Sequence, residues 1–350
     1  MHTNAGLVVE LEPRRTPSFN GEVLKKLYRS CPICASNISR WATKSTANSV
    51  YHIDHCITCG YAFVNPRPSF EFLMSYYESF GLGEACAEAG SPTLDSIMRN
   101  EVQDPNSTID ARRILTTIER LAVAKQLRKF LDVGCGYGFF SKEALIHGFE
   151  VIALEVAKND RSIAEQMTAL TPVDTSFEEF EQSAGSLSVI LMSQILEHAL
   201  DVNQWVEKAN ILLESGGILA IALPNFGSLS RILMQEREPY ICPPAHLNFF
   251  NPRSLETLLV RHGFKVDEVQ WVSRIPSASF QKRLPKPAKP LLPLLKRMSL
   301  ATLRIVDSLR LGVMINVYAR KTHDSNHSAS RSTVHQAELL HGAATAEQTP

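Results

Sequence analysis

The sequence predicts an α/β fold: a doubly wound sheet with a smaller module attached at its N-terminal end. Three observations predict it. From Phe130 onward, short apolar runs alternate with stretches of helical spacing, which implies a mostly parallel sheet covered on both faces. A glycine-rich turn, Asp132-Val133-Gly134-Cys135-Gly136-Tyr137-Gly138, joins an expected strand to an expected helix. Before all of this stand two cysteine pairs, Cys31-x-x-Cys34 and Cys56-x-x-Cys59, with 21 residues between them.

Taken in order, residues 1–22 are polar and rich in turn formers and read as a flexible lead-in. Residues 23–68 hold the cysteine pairs and many β-branched residues, and Asn65-Pro66-Arg67-Pro68 ends that module. Residues 69–107 form a connection: a helix near 69–80, then a loop over 81–106 containing Gly81, Gly83, Gly90, Pro92 and Pro105. Ile109, Ile114, Leu115, Ile118, Leu121 and Leu127 space a helix. Strands are expected at Phe130–Val133, Val151–Val156, Val189–Ser193, Ile218–Leu223, Val266–Val272 and Val313–Ala319. The intervening helices are Phe139–His147, Asn159–Ala169, Val202–Leu213 and one opened by Asn251-Pro252. Asp201 and Asn251 are of N-cap type, Pro252 suits a first helical position, and Gly216-Gly217 is expected to stop the helix before it. The main domain thus spans 108–321, with 273–312 as a lid-like insertion, and 322–350 reads as a disordered tail.

Composition narrows the function. With 36 basic and 36 acidic residues, no global field steers the chain toward nucleic acid or anionic lipid. Residues 1–20 have no apolar core of a signal peptide, and the sequence has no long uncharged apolar run, so a cytoplasmic location is expected. Lys282, Arg283, Lys286, Lys289, Lys296, Arg297 and Arg304 make the 273–312 insertion basic. It reads as a solvated helix face. The alternatives are a surface for a phosphorylated acceptor or a weak membrane-surface contact through 285–310.

The cysteine spacing points to metal. Each C-x-x-C sets two thiolates on a tight knuckle, and two knuckles make a tetrahedral S4 site of the kind that holds structural Zn²⁺. Cys31, Cys34, Cys56 and Cys59 are therefore the expected ligands of a zinc-ribbon-like module, coordinatively closed and so not catalytic. A redox role would need one pair at a helix N-terminus, which nothing around them suggests. Cys86, Cys135 and Cys242 are unpaired in sequence and read as small apolar residues.

The glycine turn points to a nucleoside ligand. Its glycines run G-x-G-x-G rather than the G-x-G-x-x-G of dinucleotide sites, since Phe139 holds the third position of that pattern. Asp132 opens the turn, and a carboxylate there suits a cationic ligand better than a pyrophosphate. Glu155, 23 positions on, stands where a strand-end acid can accept from ribose hydroxyls.

At these residues the chain resembles class I S-adenosylmethionine-dependent methyltransferases. The turn is similar to their first motif, and Gln194-Ile195-Leu196-Glu197-His198 to the segment ending their fourth strand. Leu212-Leu213-Glu214-Ser215-Gly216-Gly217-Ile218-Leu219 resembles the turn into their fifth, and His246-Leu247-Asn248-Phe249-Phe250 a downstream segment. The last is typical of ubiquinone-biosynthesis O-methyltransferases and many sugar methyltransferases. The resemblance covers about 108–275 plus the last strand. It implies a Rossmann-like seven-stranded sheet, S-adenosyl-L-methionine as cofactor, and cofactor contacts from Asp132, Gly134, Gly136, Gly138, Glu155, Phe177, Ser193 and Gln194. It also implies His198 and His246 beside the reacting groups. The module, with its F-V-N-P-R-P sequence and the aromatic pair Tyr76-Tyr77, resembles the zinc-binding part of bacterial methyltransferases that modify sugars.

There are departures. Ser188 stands where the family commonly has Asp, and the adenine contact falls to Asp174 or to the segment Thr175-Ser176-Phe177, with a core position as the alternative for Phe177. In some relatives an E-x-x-E-H segment holds a divalent cation. Gln194 replaces its first carboxylate here, so catalytic magnesium is not expected. The expected function is methyl transfer to a small-molecule acceptor, most simply a hydroxyl of a sugar, glycan precursor or related metabolite. The alternatives are methylation of RNA or protein docked by the zinc module, or binding without catalysis. No nucleic-acid partner is expected.

Overall fold

The computed structural model describes residues 24–46, 49–80, 92–122, 128–273 and 301–322. The N-terminal lead-in, most of the basic insertion and almost all of the tail lie outside these residues.

The main sheet has six strands: β6 (Lys129–Val133), β7 (Glu150–Leu154), β8 (Leu187–Ser193), β9 (Leu213–Pro224), β11 (Phe264–Val272) and β12 (Met314–Lys321). Their order is β11-β12-β9-β8-β6-β7. Pairs β7·β6, β6·β8 and β8·β9 are parallel, and β12 runs antiparallel to both its neighbours. The expected seventh strand is reduced to one parallel bridge, Leu154 to Val173, beyond β7.

Alternation along the strands builds the two layers. Phe130, Val189, Leu191, Ala220 and Ala222 face a core with Ile114, Leu115 and Ile118 of helix α3 (Asn106–Leu121) and Ala144 of α4 (Phe139–Ile146). The residues between them in sequence, Leu131, Ile190, Met192, Leu219 and Ile221, face the opposite core. There they meet α6 (Val202–Leu212) and α8 (Pro252–Arg261) through Val206, Ala209, Leu255, Leu258 and Leu259. A residue period of two with both faces apolar is the pattern of a sheet covered on each side. Helix α5 (Lys158–Thr168) follows β7.

The caps act as the sequence suggests. The Asp201 carboxylate accepts from the Asn203 and Gln204 amides at the start of α6, and Asn251 with Ser254 forms a capping box on α8. Two expectations need correction. The segment 92–106 is not a loop: Thr93 and Ser96 form a capping box that opens α2 (Leu94–Gln103), and Ile97 anchors it in the core. Gly216-Gly217 does not stop α6, which ends at Leu212 and passes directly into β9; the glycines lie inside that strand. A Cβ at Gly217 would fall 2.9 Å from the Glu214 carbonyl oxygen, so the glycine permits a local fold of the strand.

The N-terminal module is a four-stranded sheet of order β10-β4-β3-β2, from β2 (Ile38–Ser45), β3 (Val50–Cys56), β4 (Ala62–Val64) and β10 (Asn248–Phe249). The fourth strand belongs to the main domain: Asn248 pairs with Phe63, and Phe249 with Ala62. A short β1 (Leu24–Lys26) pairs with β5 (Arg67–Pro68), and α1 (Phe70–Phe80) leads away. Cys31, Ile33, Cys56, Cys59, Tyr61 and Phe63 share one continuous core with α6 and α8. Between β9 and β10 stands the short helix α7 (Leu229–Met234), which periodicity did not reveal. Among the described residues, no helix is long and apolar enough to cross a membrane.

Candidate active site and metal centre

The glycine turn leaves the C-terminal end of β6, where ligands bind in open α/β sheets. Gly134, Gly136 and Gly138 all have positive φ, at 67°, 54° and 84°. A Cβ on Gly134 would lie 2.8 Å from the Ile195 side chain, so this glycine lets the loop after β8 close onto the turn. Gly138 caps α4, and a Cβ there would meet Thr168 at 3.1 Å and the Ala164 backbone at 3.2 Å.

Glu155 ties the tip of the neighbouring strand to the turn. Its carboxylate accepts from the Gly136 amide at 2.9 Å and from the Ala157 amide at 2.9 Å. Burial raises its pKa, against the pull of those amides. Asp132 is fully buried at the base of the turn. Ser141 donates to its Oδ2 at 2.6 Å, while Oδ1 meets no partner. Burial pushes Asp132 up to about 6. Asp160, also buried, is raised to about 6 by desolvation and then by the charge of Glu155. The charges of Asp132, Glu155 and Asp160 all bear on Cys135 within the turn. They repel a pyrophosphate and favour a ligand bearing positive charge, whose arrival would lower all three.

The second half of the site is the loop after β8. Ser193 ends that strand half-buried, and Gln194 adopts φ 57°. The Gln194 amide nitrogens, main-chain and side-chain, both bond the Ala222 carbonyl, at 2.7 and 3.1 Å. A single 3-10 turn, Leu196–His198, follows. His198 Nδ1 lies 2.7 Å from the Ala245 carbonyl and His246 Nδ1 lies 2.8 Å from the Tyr240 carbonyl. The two rings meet edge to face at 4.9 Å. The Glu197 carboxylate and the two rings each bring an atom within 4.8 Å of the others. Glu197 is 1% exposed, neither of its oxygens has a partner, and burial pushes it up to about 8. Burial, then the neighbouring His246, pulls His198 down to about 3; burial also lowers His246. Both rings are therefore neutral at pH 7.

The structure brings Asp132, Gly134, Gly136, Gly138 and Glu155 together at one strand end, and His198 with His246 on the adjoining loops. Phe177 is 2% exposed and packs edge-on to Trp205 at 5.2 Å, as the core alternative for this ring expects. Asp174 is spent on Arg161 at 2.6 Å. Ser188 donates to the Lys129 carbonyl, a bond between strands and not a ligand contact.

The cysteines converge as expected. Cys31 and Cys59 Sγ lie 3.7 Å apart, and Cys34 and Cys56 Sγ 3.4 Å. A tetrahedron with Zn–S of about 2.3 Å has edges of about 3.8 Å, whereas a disulfide would need about 2.05 Å. The four thiols fit zinc. Gly60, at φ 79°, turns the second knuckle, and its amide bonds the Cys56 carbonyl at 2.9 Å. The main domain grips both knuckles: Arg261 donates to the Ile33 carbonyl at 2.7 Å, Asn203 to Pro32 at 3.1 Å and Asn251 to Gly60 at 3.0 Å.

Sequence reasoning missed the contacts that join module and site. Arg67 and Asn248 were visible only as members of the N-P-R-P and H-L-N-F-F segments, yet both are buried and hydrogen-bonded to each other at 2.5 Å. Lys44 of β2 donates to the Ile241 carbonyl and, at 3.0 Å, to that of Glu236. For Asn248, a polar residue inside the apolar run Leu247–Phe250 was the available cue; Arg67 and Lys44 had none.

Comparison with known proteins agrees with this geometry. Residues 107–269 match the family model of a methyltransferase domain. The human mitochondrial ubiquinone biosynthesis O-methyltransferase is 28% identical over 173 residues, covering 45% of this chain and 47% of that protein. A probable S-adenosylmethionine-dependent methyltransferase of Mycolicibacterium smegmatis is 26% identical over 160 residues, covering 45% of this chain and 60% of the relative. Among solved structures, a Thermotoga maritima S-adenosylmethionine-dependent methyltransferase superposes with a TM-score of 0.46 at 15% identity, over 71% of this chain and all of its own. The chain spans about half the length of the curated relatives it matches. Residues 107–269 thus form a methyltransferase domain, here joined to a four-cysteine module.

Proposed function

We propose that this chain transfers a methyl group from S-adenosylmethionine to a hydroxyl of a small molecule: a sugar, a glycan precursor or a related hydroxylated metabolite. The observation that carries the reading is the Gly134–Gly138 turn held against Glu155 by the Gly136 amide, with Asp132 and Asp160 close by. When bound, the cofactor supplies a methyl carbon activated by a sulfonium.

The chain's own residues supply the rest. Glu155, which accepts from the Gly136 and Ala157 amides, would hold the ribose hydroxyls of the cofactor. Asp132, with one oxygen unpartnered, holds positive charge near the base of the turn. Closure of Ile195 onto Gly134 excludes water from the seam between the two loops. His246 acts as the base. A carbonyl only accepts, so the bond to Tyr240 fixes a proton on Nδ1 and leaves the Nε2 lone pair free. Burial keeps that ring neutral and ready to take the hydroxyl proton as the oxygen attacks. His198 packs against it and orients it. A hydroxyl needs such a base more than an amine does, and the relatives named above as O-methyltransferases lend support. The four cysteines would hold structural Zn²⁺.

Calorimetric titration with S-adenosylmethionine tests the cofactor. Binding is expected, and Glu155→Ala should weaken it by about 10- to 100-fold, the worth of one or two hydrogen bonds to a carboxylate. Equal affinity in the variant, or no heat with the parent protein, sinks the assignment. A screen of hydroxylated acceptors by release of S-adenosylhomocysteine then identifies the second substrate.

A further inference from the structure

Two buried polar residues with no part in the transfer connect the metal module to both histidines. Arg67 is 2% exposed. Its Nη1 donates to the Leu247 carbonyl at 2.7 Å, and its Nη2 to Asn248 Oδ1 at 2.5 Å and to the Tyr61 hydroxyl at 3.1 Å. Asn248, also 2% exposed, turns its amide the other way. Its Nδ2 contacts three carbonyls of the loop after β8: Leu196 at 3.2 Å, Glu197 at 3.2 Å and Ala199 at 2.7 Å. The Leu247 amide donates to the Glu197 carbonyl as well, at 2.8 Å. His198 thus sits inside the segment that Asn248 grips, and His246 two residues before Asn248. A buried guanidinium is expensive to desolvate, and apolar groups of like volume would hold two elements together equally well. Cohesion alone does not call for this arrangement; a fixed register between two loops does, because a fork of donors accepts one geometry.

We infer that Arg67 and Asn248 are positioning residues through which the four-cysteine module sets the placement of His198 and His246, so that zinc binding and the geometry of the acceptor side are coupled. What the histidines do rests on the function proposed above; the coupling does not. By reciprocity, loosening the histidine loops must weaken the hold on the metal.

The test uses the full-length zinc-loaded protein with ¹⁵N-labelled histidine. Long-range ¹H–¹⁵N spectra report the tautomer of each ring, and His198→Gln and His246→Gln assign the two signals. In the parent protein His246 should be a single Nδ1-protonated tautomer. In Arg67→Met and Asn248→Leu it should become a mixture containing the Nε2-protonated form. Affinity for S-adenosylhomocysteine should stay within about twofold, because the glycine turn is built on other strands. Zinc affinity, measured by competition with a chelator, should fall at least about fivefold in Asn248→Leu. Arg67→Lys keeps the charge but loses the fork, and should displace the His246 signal in the same way; it decides the matter if Arg67→Met does not fold. Unchanged histidine spectra in a folded Arg67 variant overturn the inference, and so does a tautomer shift with unaltered zinc affinity. Failure of the parent protein to bind S-adenosylhomocysteine, with the tautomer and zinc responses intact, would overturn the proposed function and leave the coupling standing.

Discussion

The two glycines at either end of α4 allow a close experimental comparison. Gly138 caps the helix at φ 84°, and Gly148 follows its last turn at φ 76°. Alanine at either place adopts a left-handed backbone, which costs about 1–2 kcal/mol, offset by roughly 0.4–1 kcal/mol from the stiffer unfolded chain. That part is common to both. At Gly148 nothing lies within 4 Å of the added carbon, so the net loss should be about 1 kcal/mol. At Gly138 the added carbon meets Ala164 and Thr168 of α5 at 3.1–3.2 Å, and one of those atoms is backbone. Helix α5 must move, and overpacking of this kind adds about 1–3 kcal/mol. Gly138→Ala should therefore unfold about 2–12 °C below Gly148→Ala, at roughly 2–4 °C per kcal/mol for a domain of this size. Urea titration of both variants, with matched slopes, gives the free-energy difference directly. Only Gly138→Ala should also weaken S-adenosylmethionine binding, because α5 carries Asp160 and begins just after Glu155. Equal stabilities would refute the claim that this glycine exists for helix-to-turn contact.

The other predictions concern charge, metal and the base. Glu197 is neutral in the folded protein up to about pH 8 and titrates near 4.5 when unfolded. Its folded pKa is raised, so stability from this group is full below pH 4.5 and declines as pH rises toward 8. Glu197→Gln should flatten that decline in pH-dependent urea unfolding, and an unchanged slope would count against a partnerless carboxyl. Purified protein should carry about one zinc per chain by metal analysis, and Cys56→Ser should lose it and lower the melting temperature of the whole molecule in a single transition, since the knuckles share the core of α6 and α8. Two separate transitions would contradict that shared core. Once an acceptor is found, His246→Gln should lower kcat by about 10²- to 10⁴-fold with little effect on cofactor affinity, as expected for a lost base.

Much of the fold was legible because its signals are local. Strand alternation, Asp201 and Asn251 as caps, and the glycine turn each depend on a few neighbouring residues, and each stands where expected. The misses came from competition between local rules and tertiary context. Proline and glycine around 81–106 suggested a loop, but the Thr93–Ser96 capping box and the buried Ile97 produced α2. Gly216-Gly217 resembled a helix stop, but the pairing of β9 with β8 and β12 absorbed them into a strand. For Phe177 the sequence leaves both an adenine contact and a core position open, because it cannot distinguish an aromatic ring in a pocket from one against Trp205.

The candidate site divides along the same line. Its proposed cofactor half lies within one turn and one strand tip, so the convergence of Asp132 to Gly138 with Glu155 could be read from spacing. Its proposed acceptor half is assembled from segments far apart in the chain: His198, His246, and the Arg67 and Asn248 bonded around them. The bond from Arg67 to the Leu247 carbonyl spans 180 positions. No periodicity encodes such a contact. What sequence does contain is one mismatch: an asparagine, Asn248, within the apolar run Leu247–Phe250, where burial without partners would cost several kcal/mol. In a chain that folds, such a residue must meet a partner or a ligand. Arg67 and Asn248 meet each other, whereas Glu197, buried one residue before His198, keeps both oxygens unpartnered.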